Sequence, residues 1–315
     1  MDYANAADNF TETLAGNITL QGGLTNYLGA LGSANLSETL FVTAPVGGSG
    51  NLQLGGSTVN NGTDVGVVVL AATNTYTGAT TVATGTLLIN GANGNSAITV
   101  NTNATLGGTG SIGGTINVQA GGTLAPGIAA RGALTNAIGT LTASSAASVS
   151  GAVAMKINRD ALPNSDQFVA PGITVNSGAT LTVANIGSTN LAAGDAFILF
   201  STAISGAFST VTLPALPNPG LYWTNNLAVN GSIAVVAVVT VNTNSTNIVT
   251  SVSGNTLTLS WPADHKGWHL QAQTNSLSSG LGTNWVTIPG SDAVVSTNLT
   301  INPANGSVFY RLVYP

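Results

Sequence analysis

Residues Thr75 to Gly127 read TYTGATTVATGTLLINGANGNSAITVNTNATLGGTGSIGGTINVQAGGTLAPG, and three phrases recur in them: TTVATGTL, ITVNTNATL and INVQAGGTL. Their central valines, Val82, Val100 and Val118, are evenly spaced along the chain. A fixed, short period marks units that stack on one another, because a single unit cannot cover its own apolar face. Within each phrase the side chains alternate with period two: Ile98 and Val100 point one way, Thr99 and Asn101 the other. Gly and Asn stand at the corners, where sharp turns need them. The stretch predicts an all-β chain, a right-handed parallel β-helix with one phrase per rung.

Composition agrees with that class and excludes others. The 315 residues carry 10 acidic and 5 basic side chains, so only 5% are charged, against about 25% in an ordinary soluble protein. A hydrophobic fraction of 43% argues against disorder. Five cations, Arg131, Lys156, Arg159, Lys266 and Arg311, cannot supply the clustered basic footprint that nucleic acid requires. There is no cysteine, hence no disulfide and no thiolate metal site. The longest apolar runs, Val65 to Ala72 and Ile233 to Val241, fall short of the ~20 residues of a membrane-spanning helix and predict buried strands. MDYANAADNF has neither a basic n-region nor an apolar core. Together with the composition, this predicts an extracellular or cell-surface protein whose signal peptide is not present in this chain.

Taken in order, residues 1–16 predict an N-terminal arm or cap and 17–240 the solenoid. Strand phrases begin at NITLQGGL (17–24) and continue through ETLFVTAPV (38–46), NLQLGGSTV (51–59) and DVGVVVLAA (64–72). The repeat phrase returns as ITVNSGATL (173–181) and LAVNGSI (227–233). The interval from Val175 to Val229 is three of the periods that separate Val82 from Val100, and that from Val118 to Val175 comes close to three. Both are read as three rungs. Polar residues 241–252 predict a linker. Residues 253–315, with alternating strands such as HLQAQT and SVFYRLVY between Gly, Asn and Pro turns, predict a small antiparallel β-sandwich.

The segment TYTGATTVATGTLLING, followed by LGGTGSIGGTINVQAGGTLAPG, resembles the autotransporter-associated β-strand repeat family, and residues 165–214 resemble the passenger segments that follow such repeats. Together these cover about half the chain. The resemblance implies a parallel β-helix exported to the cell surface and not enzymatic. Nothing here could form the membrane barrel in which autotransporters end, and the tail is similar to the C-terminal module of large secreted bacterial repeat proteins.

Candidate chemistry is sparse. Glycan cleavage on a β-helix needs paired carboxylates or a carboxylate–metal–Arg cluster on neighbouring rungs. Arg159, Asp160 and Asp166, with Asp195 further on, come nearest, and a solvated corner with one local ion pair is the preferred reading of them. Asp264, His265 and His269 are the only metal-like grouping, but Pro262 and Gly267 predict a turn there. No catalytic residue, metal or cofactor is predicted. Trp268, Trp285 and Tyr310 are candidate glycan-contact aromatics, against a competing role in the core of a small sandwich. The function these features predict is structural: a subunit that joins copies of itself head to tail into a surface fibre or matrix. Its assembly segments would be the arm, with Tyr3 and Phe10, and the strand with Ile233, Val235 and Val239, donated by β-augmentation. The alternative is a monomeric adhesin that binds surface glycans.

Overall fold

Alternating β-formers between Gly and Asn corners fold as short strands, and each strand pairs in parallel with its equivalent one turn of the coil away. A computed structural model of the chain describes residues 11–30, 38–55, 66–127, 137–238, 240–276 and 278–315. The chain divides into two units, Met1–Ala237 and Val238–Pro315. The first is the β-solenoid.

In each rung the chain meets three faces in turn. Among the described residues face A stacks nine strands in sequence order: Thr11–Leu14, Thr39–Val42, Val67–Leu70, Gly85–Ile89, Ala104–Gly108, Thr123–Pro126, Ala152–Ile157, Thr180–Asn185 and Thr210–Thr212. Face B is shorter. It begins with Ile18–Leu20 and Val46–Gly48 and resumes with Ala92–Asn93, Ser111–Ile112, Thr140–Ala143 and Gln167–Val169. Face C stacks eight strands, from Thr25–Leu28 through Thr80–Val82, Ile98–Val100 and Ile116–Val118 to Ser205–Gly206. Where face B is interrupted, the buried side chain of Asn74 takes over. Its Oδ1 accepts the Val46 N–H at 3.0 Å, and its Nδ2 donates to the carbonyls of Ala72 and Ala92 at 3.1 and 3.3 Å.

Register makes the core continuous. On face C, Leu54, Val82, Val100, Val118, Val149 and Val175 lie opposite one another in one inward column. On face A the column is Leu40, Val68, Leu87, Leu106, Leu124, Val153, Leu181 and Val211. From Val68 to Leu181 its members are almost wholly buried, each contributing about 1.5–3 kcal/mol by the area removed from water.

The even spacing holds on face C only from Val82 to Val118. Val118 pairs with Val149, and Val149 with Val175, so two longer rungs, not three, fill the interval from Val118 to Val175. The later phrase LAVNGSI is no rung at all. Leu227–Asn230 is a single helical turn closed by Gly231 at φ 76°, and Val229 is solvent-exposed. Two boundaries also move. Thr11–Leu14 already pairs with Thr39–Val42 on face A, so the first rung starts inside the expected arm. The expected linker belongs to the second unit: Asn242 bonds Asp264, and Val249–Ser253 is a strand paired with Thr256–Ser260.

At the far end of the solenoid lies an antiparallel sheet. Its strands are Ala196–Ile198, Ser232–Ala237 and Leu221–Asn226, with Ser232–Ala237 in the centre. Trp223 packs on Phe197 at 6.1 Å between ring centroids and donates its indole N–H to the Pro214 carbonyl at 2.9 Å. Pro214, Pro217 and Pro219 follow the last strand of face A; a residue without an N–H cannot extend a ladder.

The second unit contains two three-stranded antiparallel sheets, as the alternating tail predicts. One orders Val249–Ser253, Thr256–Ser260 and Ser296–Thr300; the other orders Val286–Thr287, His269–Asn275 and Ser307–Val313. Leu259, Trp261 and Leu270 form the centre of its core.

Two substitutions test the stacking. Leu106→Ala is expected to cost the solenoid about 2–5 kcal/mol in denaturant unfolding. Gly108 has φ 112°, and a Cβ there would stand 2.2 Å from the Ile89 carbonyl oxygen, whereas a Cβ on Gly178, at φ 89°, meets nothing within 4 Å. Gly108→Ala is therefore expected to destabilise clearly more than Gly178→Ala, whose cost should be about 1–2 kcal/mol.

Candidate functional site

The charged cluster near residue 160 lies where one rung lengthens between faces A and B. Ile157 bridges Ser165 in antiparallel fashion, and the Asn158 N–H donates to the Asn164 carbonyl at 2.8 Å. This small hairpin returns the chain to face B and carries Asp166 into the protein. Asp166 is fully buried, not at a solvated corner as its sequence context predicts. Its Oδ2 lies 2.7 Å from Lys156 Nζ and accepts the Lys156 backbone N–H at 2.8 Å; Oδ1 accepts the Gly139 N–H at 2.9 Å. Burial pushes its carboxyl above the usual range, against the opposing pull of Lys156 and the two backbone donors.

Arg159 makes a second pair, Nη2 to Asp195 Oδ1 at 3.2 Å, and donates through Nη1 to the Asn190 carbonyl. Asp195 also accepts the Ala192 N–H at 2.8 Å. Asp160 is exposed. The four candidates thus separate into one buried pair, one partly buried pair and a surface carboxylate. Donors already occupy both oxygens of Asp166, so it is poorly placed to exchange a proton with a substrate.

In the second unit a short turn, Ala263–His265, brings His265 between two acceptors. Nδ1 stands 2.7 Å from Asp264 Oδ1, and Nε2 stands 2.8 Å from the Asn244 carbonyl oxygen. Two acceptors are both satisfied only when both nitrogens carry protons, so the site favours the imidazolium. The pKa of His265 is raised, first by the Asn244 carbonyl and then by Asp264, while bonds from Asn242 and His265 lower that of Asp264. Neither nitrogen is left for a metal, and His269 opens the strand His269–Asn275 instead. Among the described residues no group of three His, Cys, Asp or Glu is placed to hold a metal ion.

The three aromatics do not share a platform. Trp268 is buried against His265 and Tyr314, and its indole N–H donates to the Asn242 carbonyl at 2.9 Å. Trp285 has the Arg311 guanidinium 4.2 Å above its ring. Tyr310 neighbours Arg311 on the same strand and so points to the opposite side, where it lines a groove of about 590 Å³.

Of the assembly segments, Ile233 and Val235 are fully buried in the central strand of the far-end antiparallel sheet, hydrogen-bonded on both sides. That strand has no free edge to donate. Tyr3, Phe10 and Val239 lie outside the described residues. Among those residues, no helix is long and apolar enough to cross a membrane. Sequence reasoning missed the buried Asn74, and also a chain of hydroxyls inside the coil: Tyr76 to Thr80 at 2.7 Å and Thr80 to Ser96 at 2.8 Å.

Removing one partner of a buried ion pair leaves the other uncompensated. Asp166→Ala is expected to cost about 3–5 kcal/mol in the unfolding of the solenoid, against at most ~1 kcal/mol for Asp160→Ala at the surface. The His265 pair gives the second unit a pH window. The raised histidine stabilises fully below its unfolded value of 6.5, and that stabilisation is lost as pH rises through the higher folded value. The lowered aspartate stabilises above 3.8, and its share is lost as pH falls through the folded value. Thermal melts of the unit should peak between these limits, and His265→Gln should flatten the alkaline side.

Searches with protein-family models and against curated proteins return no match to this chain.

Proposed function

We propose that the chain is a non-catalytic structural protein of the cell exterior, a β-solenoid whose role is to be a stiff, chemically inert body that joins to others. The observation that carries this reading is the uninterrupted stack of face A together with the outward row of face C. That row runs Tyr27, Gln53, Thr81, Thr99, Asn117, Ser148 and Thr174 across successive rungs, roughly 4.8 Å apart, and contains no acidic or basic residue. The scarcity of Lys and Arg, the lack of cysteine and the resemblance of residues 75–127 to surface-exported repeats support an extracellular location.

Joining is assigned to the first rung in this reading, although Ser205–Gly206 and Thr210–Thr212 at the other end also have one paired neighbour each among the described residues. Thr11–Leu14 and Thr25–Leu28 each have a paired neighbour on one side alone among the described residues. Leu24 and Tyr27 are more than half exposed and Leu14 is 37% exposed. A sheet edge with free N–H and C=O groups invites another strand. Glu12 stands in the inward column opposite Leu40, and an inward charge on an edge strand limits indiscriminate pairing, so the contact is selective. The alternative, a monomeric adhesin stacking sugars on Trp268, Trp285 and Tyr310, lacks the shared aromatic surface it requires.

Sedimentation velocity over a range of concentrations tests the reading. The full chain is expected to associate, and a Leu14→Lys/Tyr27→Lys variant with an unchanged thermal melt is expected to remain monomeric. A wild-type chain that stays monomeric at its solubility limit, and forms nothing larger by electron microscopy, overturns it.

A further inference from the structure

The groove beside Tyr310 belongs to the second unit alone and owes nothing to the structural reading of the solenoid. One wall comes from the sheet that holds Leu257 and Leu299, the other from the sheet that holds Ala272, Val308 and Tyr310; the segment 301–306 that joins the two sheets borders it. A sandwich of this size normally fills the space between its sheets with side chains. Here the central strand contributes only the small side chains of Ala272 and Thr274, and Leu257, Leu299, Val308 and Tyr310 are left only partly buried around the gap.

Three features define what fits. The volume, about 590 Å³, falls within the ~300–1,000 Å³ of small-molecule sites. The lining carries no charged side chain, so nothing offsets the desolvation of an ion. The Tyr310 hydroxyl has no hydrogen-bond partner among the described residues, and burial alone raises its pKa. We propose that the groove is a binding site for a neutral small molecule with an aliphatic body and one hydrogen-bonding group, the body lying against Leu257, Leu299 and Val308 and the polar group meeting the Tyr310 hydroxyl. Aromatic stacking plays no part, which separates this ligand class from the sugars expected of an exposed tryptophan platform.

Calorimetric titration of the full chain with 1-octanol, a neutral aliphatic alcohol bearing one hydroxyl, tests the site. Saturable binding at one equivalent is expected. Ala272→Leu, which fills the groove, should weaken binding at least tenfold, and Ile301→Asp, which sets a charge at its mouth outside the strands, should do likewise. Trp285→Ala, on the other side of the sheet, should leave binding unchanged. Tyr310→Phe should weaken it less than Ala272→Leu does. Should Ala272→Leu fail to fold, the Ile301→Asp and Trp285→Ala pair still decides. No saturable binding, or binding indifferent to the groove variants in folded protein, overturns the proposal.

Discussion

The solenoid depends on one constraint: each backbone N–H and C=O in its strands finds its partner in the rung before or the rung after. A rung can lengthen only where the extra residues leave all three strands in register. The chain obeys this by confining length to two corners. In the compact rungs the passage from face A to face B is short, as between Gly108 and Ser111, whereas the next rung runs from Pro126 to Thr140 and the one after from Ile157 to Gln167. Earlier rungs lengthen at the passage from face C to face A, between Leu28 and Thr39 and between Leu54 and Val67. Face A can therefore take short steps, as from Val68 to Leu87 or from Leu106 to Leu124, and long ones, as from Leu40 to Val68 or from Leu124 to Val153. It still presents one column of Leu and Val.

That freedom explains what the sequence made legible and what it hid. The all-β class, the parallel stack and most individual strands follow from period-two alternation and corner chemistry, which are local. The rung count does not. The repeating phrase is a face C strand, a tight corner and a face A strand, and its spacing is constant only while the other corner stays short. The rung at Ala147–Val149 kept the register but not the vocabulary: Ala147 stands where Ile116 and Ile173 stand, and ASVSGAVA lacks the Thr and Asn that mark its neighbours. LAVNGSI had the vocabulary without the register.

The charged residues were misjudged for a related reason. Spacing along the chain gives no measure of depth, so Asp166 read as a corner residue, although the return of the hairpin to face B carries it into the interior. The aromatics divided on strand parity: Tyr310 and Arg311 are adjacent in the chain and therefore face opposite sides of a sheet, which separates the groove from Trp285. Parity was visible in the sequence. Which parity faces inward was not, because Gln273 is buried on the opposite side from Tyr310 and alternation alone gives no clean polar face.

The two ends of the solenoid answer the same difficulty in different ways. A stack of parallel strands always leaves a last rung with unpaired groups, and parallel pairing cannot by itself close it. At the far end the chain reverses direction, and antiparallel strands with Phe197, Ile233 and Val235 cover the core. The central strand of that sheet is paired on both edges, so its apolar run, which reads as donatable in isolation, has no free edge to offer. At the near end no described strand covers Thr11–Leu14, and a single carboxylate, Glu12, occupies the position where every later rung places Leu or Val. In the proposed reading, a body that joins at the first rung must supply a partner for Glu12, which stands in register with Leu40.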